Sequence, residues 1–205
     1  WAVCWGRFKQ QKGEIVGNIA RSNKDRKIFT VSELEGKHAQ LAKQFYQHTI
    51  DREYWAVCWG RFKQQKGEIV GNIARSNKDR KIFTVSELEG KHAHTFYEVI
   101  EEFDFASLVK LKLKTGRTHQ IRVHLNHVHH PIFGDPTYGG RKIVCGLELP
   151  KIKARVENLL GIMKRQALHA KTLGFLHPHT KERVFLESNL PEDFTELLSK
   201  LRNKN

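Results

Sequence analysis

The chain has 205 residues, 39% of them hydrophobic and 28% charged, which is enough for one domain with a real core, or one domain with an appendage. No apolar run approaches bilayer length and no signal-peptide pattern is visible, so a membrane-spanning or secreted class is not expected. A formal charge of +14, from 36 Lys+Arg against 22 Asp+Glu, points to a polyanionic partner, nucleic acid before any other.

The chain opens at Trp1 without an initiator Met and so reads as a fragment or a processed piece. Trp1 to Ala39 is repeated at Trp55 to Ala93 without a single difference. Structural repeats diverge and need at least three units to build a continuous core, so two perfect copies read as a recent duplication or an error of joining. Residues 1–39 are therefore not expected to form an independent domain, and 41–205 is the expected folding unit. Each copy contributes +4, so a single-copy chain would still carry +10. Of Cys4, Cys58 and Cys145, the first two are copies of one position. That leaves no disulfide framework and no paired metal-ligand spacing, and a reducing cytoplasm is the expected compartment.

Between the copies, Leu41 to Gln47 predicts a short helix leading into Arg52-Glu53-Tyr54. The second copy reads as strands at Trp55 to Trp59, Glu68 to Ala74 and Lys81 to Val85, and continues into a strand at Thr95 to Phe103. Val109, Leu111 and Leu113 alternate with Lys110, Lys112 and Lys114, the period-2 pattern of a half-buried strand. Thr115-Gly116 then turns the chain, and Thr118 is placed to cap a helix whose Ile121, Leu125 and Val128 share a face. Arg117, Thr118 and His119 gather near that helix start, a natural place for a phosphate. His130 to Gly140, dense in proline and glycine, predicts a shaped loop.

Lys151 to Met163 predicts a helix with Ile152, Val156, Leu159, Leu160 and Met163 inward. Strands follow at Ala167 to Phe175 and Arg183 to Leu186. The last helix starts at Pro191, with Glu192 and Asp193 in its first turn, and turns Phe194, Leu197, Leu198 and Leu201 inward. Strand runs mixed with a few helices predict an α+β domain on a largely antiparallel sheet.

Five segments carry a resemblance: Arg52-Glu53-Tyr54, Thr115 to Leu125, Gly134 to Gly140, Arg165 to Ala170 and Leu190 to Asp193. In this order they closely resemble RluA/RluD-type pseudouridine synthases, from Leu41 to about Leu201. The resemblance implies an α+β pseudouridine synthase-like fold, a largely antiparallel mixed sheet with flanking helices. It also implies a cofactor-free isomerisation of uridine in RNA, ribosomal before transfer RNA. No metal is expected from the residue spacing, and a monomer is the working expectation although the sequence does not fix the oligomeric state. The base is detached, rotated and rejoined through carbon, after being flipped from its stack at a cost of roughly a few kcal/mol.

By the same resemblance, Tyr54 corresponds to the active-site tyrosine that packs on the target base and assists proton removal. Arg122 corresponds to the arginine that pairs with the catalytic carboxylate, and Leu168 to an apolar pocket residue. Arg117, Thr118, His119 and Lys112 are the candidate RNA contacts. The family's nucleophilic aspartate sits in a segment resembling His-Arg-Leu-Asp followed by Thr-Ser-Gly, upstream of the Leu41 helix. Where it belongs, this chain reads Gly17 to Asp25 of the first copy, and Asp25 has none of the matching neighbours. An incomplete catalytic domain with little or no activity is therefore expected. The alternatives are a noncatalytic RNA-binding module, or a chain without function whose two copies compete for one place in the sheet. The histidines between His119 and His130 lack a zinc-ligand spacing.

Overall fold

A computed structural model describes residues 20–21, 29–30, 35–47, 49–77, 79–142 and 150–203. The chain divides into two units, Trp1–Ile50 with Phe175–Val184, and Asp51–Gly174 with Phe185–Asn205. In the first unit, β1 (Ala20–Arg21) and β2 (Phe29–Thr30) pair antiparallel, and α1 runs over Glu35–Tyr46. Within this unit Gln44 exchanges two hydrogen bonds with the Leu176 backbone, and Lys181 donates to Gln40.

The repeat has two outcomes. Ala20 and Arg21 pair with Thr30 and Phe29, and their twins Ala74 and Arg75 pair with Thr84 and Phe83 in the same register. That short hairpin is specified locally. Glu35-Gly36-Lys37-His38-Ala39 is helical, whereas the identical Glu89 to Ala93 enters a strand at Lys91. Neighbours, not intrinsic preference, decide the state of those five residues.

Seven strands form the larger sheet: β3 (Asp51–Trp59), β4 (Lys66–Arg75), β5 (Phe83–Ser86), β6 (Lys91–Glu102), β7 (Ala106–Leu113), β8 (Leu168–Leu176) and β9 (Arg183–Glu187). Their order is β5-β4-β6-β7-β3-β8-β9, and the registered pairs from β5 to β8 are antiparallel. The expected α+β, largely antiparallel architecture is the observed one. Directly opposed residues share a face. Tyr54 lies opposite Leu111 and Ala170, Ala56 opposite Leu168, and Tyr97 opposite Leu111. On the other face Lys112 lies opposite Glu53 and Phe96, and Lys110 opposite Trp55 and Glu98.

The first of these faces carries α2 (Gln120–His127), whose Ile121 and Leu125 are buried with Ala56, Val109, Leu111 and Leu168 in one core. Trp59 and Phe133, both fully buried, have ring centroids 5.0 Å apart. Each such side chain contributes roughly 1.5–3 kcal/mol on burial. Helix α3 (Pro150–Ile162) buries Val156, Leu159 and Leu160, with Met163 just beyond its end. Helix α4 (Glu192–Arg202) buries Phe194, Leu197, Leu198 and Leu201, as the stripes predict, with Pro191 as its N-cap. Among the described residues no helix is long and apolar enough to cross a membrane.

Two local expectations are corrected. Thr118 does not cap α2: the N-cap is His119, held at φ 54° with no side-chain cap bond. The Gln120 side chain occupies the turn instead, so the capping hydroxyl is not needed. Strand β6 begins at Lys91 rather than Thr95, because β4 offers pairing partners from Gly71 to Ile73.

Candidate active site

Gln120 fixes the turn that precedes α2. Its Oε1 accepts from the Thr115 hydroxyl at 2.8 Å and the Arg117 N–H at 2.9 Å. Its Nε2 donates to the His94 carbonyl and the Thr95 hydroxyl, both at 3.0 Å. A buried amide has two donors and an acceptor oxygen with two lone pairs, and all four bonds are made. Thr115 in turn accepts the His94 N–H at 2.9 Å. Arg117 Nε donates to the His92 carbonyl, so this side chain is anchored to β6.

In the first turn of α2, Arg122 meets Asp135 of the loop after the helix. Nε donates to Oδ2 and Nη2 to Oδ1, each at 2.7 Å, a two-pronged pair between an Asp135 side chain with no exposure and an Arg122 side chain 13% exposed. Oδ1 also accepts the Thr137 and Tyr138 N–H groups. Burial pushes the Asp135 carboxyl up, but the Arg122 and backbone donors outweigh it and hold the group below the usual carboxylate range. The guanidinium lies 4.7 Å from the Tyr138 ring centroid.

Tyr138 ties this clamp to the sheet edge. Its hydroxyl accepts the Phe83 N–H at 3.1 Å and lies 2.9 Å from His119 Nδ1. Burial, aided by the Arg122 charge, pushes the His119 imidazole down, which favours its neutral form. Replacing Tyr138 with Phe leaves the Phe83 N–H without its partner. The expected cost is about 1–3 kcal/mol in urea unfolding, with the fold retained.

The expected site residues separate into groups. Tyr54, half-buried on β3, and Leu168, buried on β8, share the sheet face on which α2 packs. Arg122 rises from that helix, and Arg117, Thr118 and His119 occupy the turn before it. Lys112 does not join them. It points to the opposite face, 3.9 Å from Glu53, because strand alternation sends it away from Leu111. Burial raises the Tyr54 phenol above its ordinary range, the Arg52 charge opposing, so it is neutral at pH 7.

Asp25 lies outside the described residues. Its twin Asp79 sits in an exposed loop and accepts the Lys81 N–H at 2.8 Å, a turn role. Among the described residues no group of three His, Cys, Asp or Glu could hold a metal. Three histidine rings meet other partners: His94 lies against Glu68, His130 against the Trp59 carbonyl and His124, through Nδ1, against Thr95. Burial pushes His124 down to about 4.

Sequence reasoning quoted Asp135, Tyr138 and Gln120 within motifs without giving them roles. The signal for Asp135 was an aspartate inside a proline- and glycine-shaped loop, where a buried carboxylate needs a cation. Two further motifs meet at Arg165 and Asp193, joined by two bonds of 2.8 Å.

Residues 34–127 match the family described as RNA pseudouridylate synthase. An uncharacterized RNA pseudouridine synthase of Chlorobaculum parvum is 46% identical over 166 residues, covering 80% of this chain and 50% of the relative. The ribosomal large subunit pseudouridine synthase D of Blochmanniella floridana is 35% identical over 187 residues, 91% of this chain and 57% of the relative. The chain thus spans about half the length of the curated relatives it matches. The solved structure of human RNA Pseudouridylate Synthase Domain Containing 1 superposes with a TM-score of 0.58 at 26% identity, covering 75% of this chain and 60% of the human one. With five motifs in register, a matching sheet and these relatives, the chain is similar over most of its length to RNA pseudouridine synthases of the RluA/RluD type.

Proposed function

We propose that this chain is the larger part of a pseudouridine synthase catalytic domain that engages uridine in RNA, ribosomal RNA first, in the cytoplasm. The observation that carries the reading is the shared sheet face: Tyr54 and Leu168 lie on the side covered by α2, whose Arg122 is locked by Asp135. The ribosomal target is supported by the similarity to the ribosomal large subunit pseudouridine synthase D of Blochmanniella floridana. In this reading the flipped uracil packs against Tyr54, whose neutral phenol suits an apolar and hydrogen-bonding contact. Leu168 lines the apolar side of the same pocket. Nη1 of Arg122, which Asp135 does not engage, would pair with a nucleophilic carboxylate and keep it ionised. The His-Arg-Leu-Asp segment that supplies such a carboxylate in the family is not in this sequence, so this chain itself turns over little or no uridine.

A second reading, a noncatalytic RNA-binding module, draws on the same absence and on the +14 charge. Both readings require RNA affinity. Binding of a uridine-containing loop RNA, followed over a salt series, is expected to weaken as salt rises, with a log–log slope of about −0.7 per phosphate contact. Arg117→Ala is expected to weaken it further. Undetectable or salt-independent binding would remove both readings.

A further inference from the structure

Beside the turn that carries Arg117 lies a cavity of about 460 Å³, walled by β4, β5, the start of β6 and the 115–118 turn. Its size falls within the roughly 300–1,000 Å³ of ligand clefts. Arg75, Lys91 and Arg117 line it, against Glu89 as the one carboxylate among its described lining residues. The Arg75 guanidinium lies 5.1 Å from the centroid of the Phe83 ring, giving the cavity a stacked cationic and aromatic wall. Arg117 is held by its Nε bond to the His92 carbonyl, and Arg75 by a 2.6 Å bond to the Arg80 carbonyl. Two of the three cations are thus positioned by backbone oxygens, and among the described residues neither forms an ion pair with a carboxylate.

The cavity adjoins the candidate active site on two sides. Phe83 donates its N–H to Tyr138, the residue whose ring covers the Arg122 guanidinium. Gly116, another wall residue, has no side chain where a Cβ would come 2.8 Å from Arg52 Nη1, so the Arg52 guanidinium lies against that turn. Arg52 is two residues from Tyr54 on the same strand and therefore on the same face.

We propose that this cavity is a nucleotide subsite, taking the phosphodiester and adjoining base of single-stranded RNA that flanks the target uridine. Arg117 and Lys91 meet the phosphate, and the base stacks against the Arg75–Phe83 pair. This rests on the reading that the chain binds RNA.

The test is equilibrium binding of a single-stranded, uridine-rich oligoribonucleotide to the full chain over a salt series, with thermal melts of each variant. The double variant R75Q/K91Q is expected to bind about tenfold more weakly at low salt, with a slope shallower by about 0.7. Glu89→Gln removes the opposing carboxylate and is expected to bind about two- to fivefold more tightly, a gain that misfolding does not produce. Lys63→Gln, an exposed change away from the cavity, is the control and is expected to match the parent. If R75Q/K91Q and E89Q both match K63Q while the parent binds RNA, the subsite is overturned and the broader reading stands. If the parent binds no RNA, both fall.

Discussion

Asp135→Asn is expected to lower the stability of the protein by about 3–5 kcal/mol in urea unfolding at pH 7. The carboxylate side chain is fully buried and gives both oxygens to Arg122, so its removal strands the guanidinium of a side chain that is itself only 13% exposed. The amide keeps the shape but presents one acceptor oxygen instead of two, and its NH2 faces a donor. The pH dependence has a definite sign. The folded carboxyl lies below its value in an unfolded chain, about 3.9, so its contribution is fully present above that value. It is lost as pH falls through the lower folded value. Stability measured from pH 7 down to 2 should therefore fall less steeply at the acid end in Asp135→Asn than in the parent. Replacing both partners, Asp135→Asn with Arg122→Met, should recover part of the loss, because no buried charge is then left alone.

Gly140→Ala is the second large effect, on the order of 3 kcal/mol or failure to fold. A Cβ at this position would overlap the Ile132 carbonyl oxygen and come 2.6 Å from the Asp135 nitrogen, both backbone atoms that cannot rotate away. The Gly140 carbonyl also accepts the N–H of buried Trp59 at 2.8 Å and the Gly134 N–H at 2.9 Å. The methyl group thus disturbs the loop that presents Asp135 and the core contact beneath it together. Circular dichroism melts would measure the loss. A variant as stable as the parent would mean that the loop packs less tightly than described.

Most of the fold was legible because its signals are periodic. The Val109, Leu111, Leu113 alternation and the Phe194, Leu197, Leu198, Leu201 stripe report directly which side meets the core, and both stand where expected. Failures came where a side chain replaces backbone logic. Thr118 has the right chemistry for a cap, yet Gln120 already satisfies the turn, and no pattern of spacing encodes that. The starting point of β6 depends on β4, a partner some twenty residues away, and the identical five residues of the first copy are helical.

The candidate site was legible in its motifs and hidden in its pairings. Arg122 could be singled out, but the carboxylate that holds it, Asp135, is thirteen residues on and meets it only through the fold of the loop. Lys112 looked like part of the same basic cluster. Counting by twos from buried Leu111 already assigns it to the opposite face, so this separation was readable and was missed.

The central claim is that this chain carries the scaffold of a pseudouridine synthase site without the segment that supplies its nucleophile. Tritium release from ribosomal RNA labelled at carbon 5 of uridine measures that most directly, since the isomerisation expels this hydrogen. Release at the background of a protein-free control, alongside salt-sensitive RNA binding by the same preparation, is the predicted result. Robust turnover by the chain alone would contradict it and require a carboxylate of this sequence to act as the nucleophile.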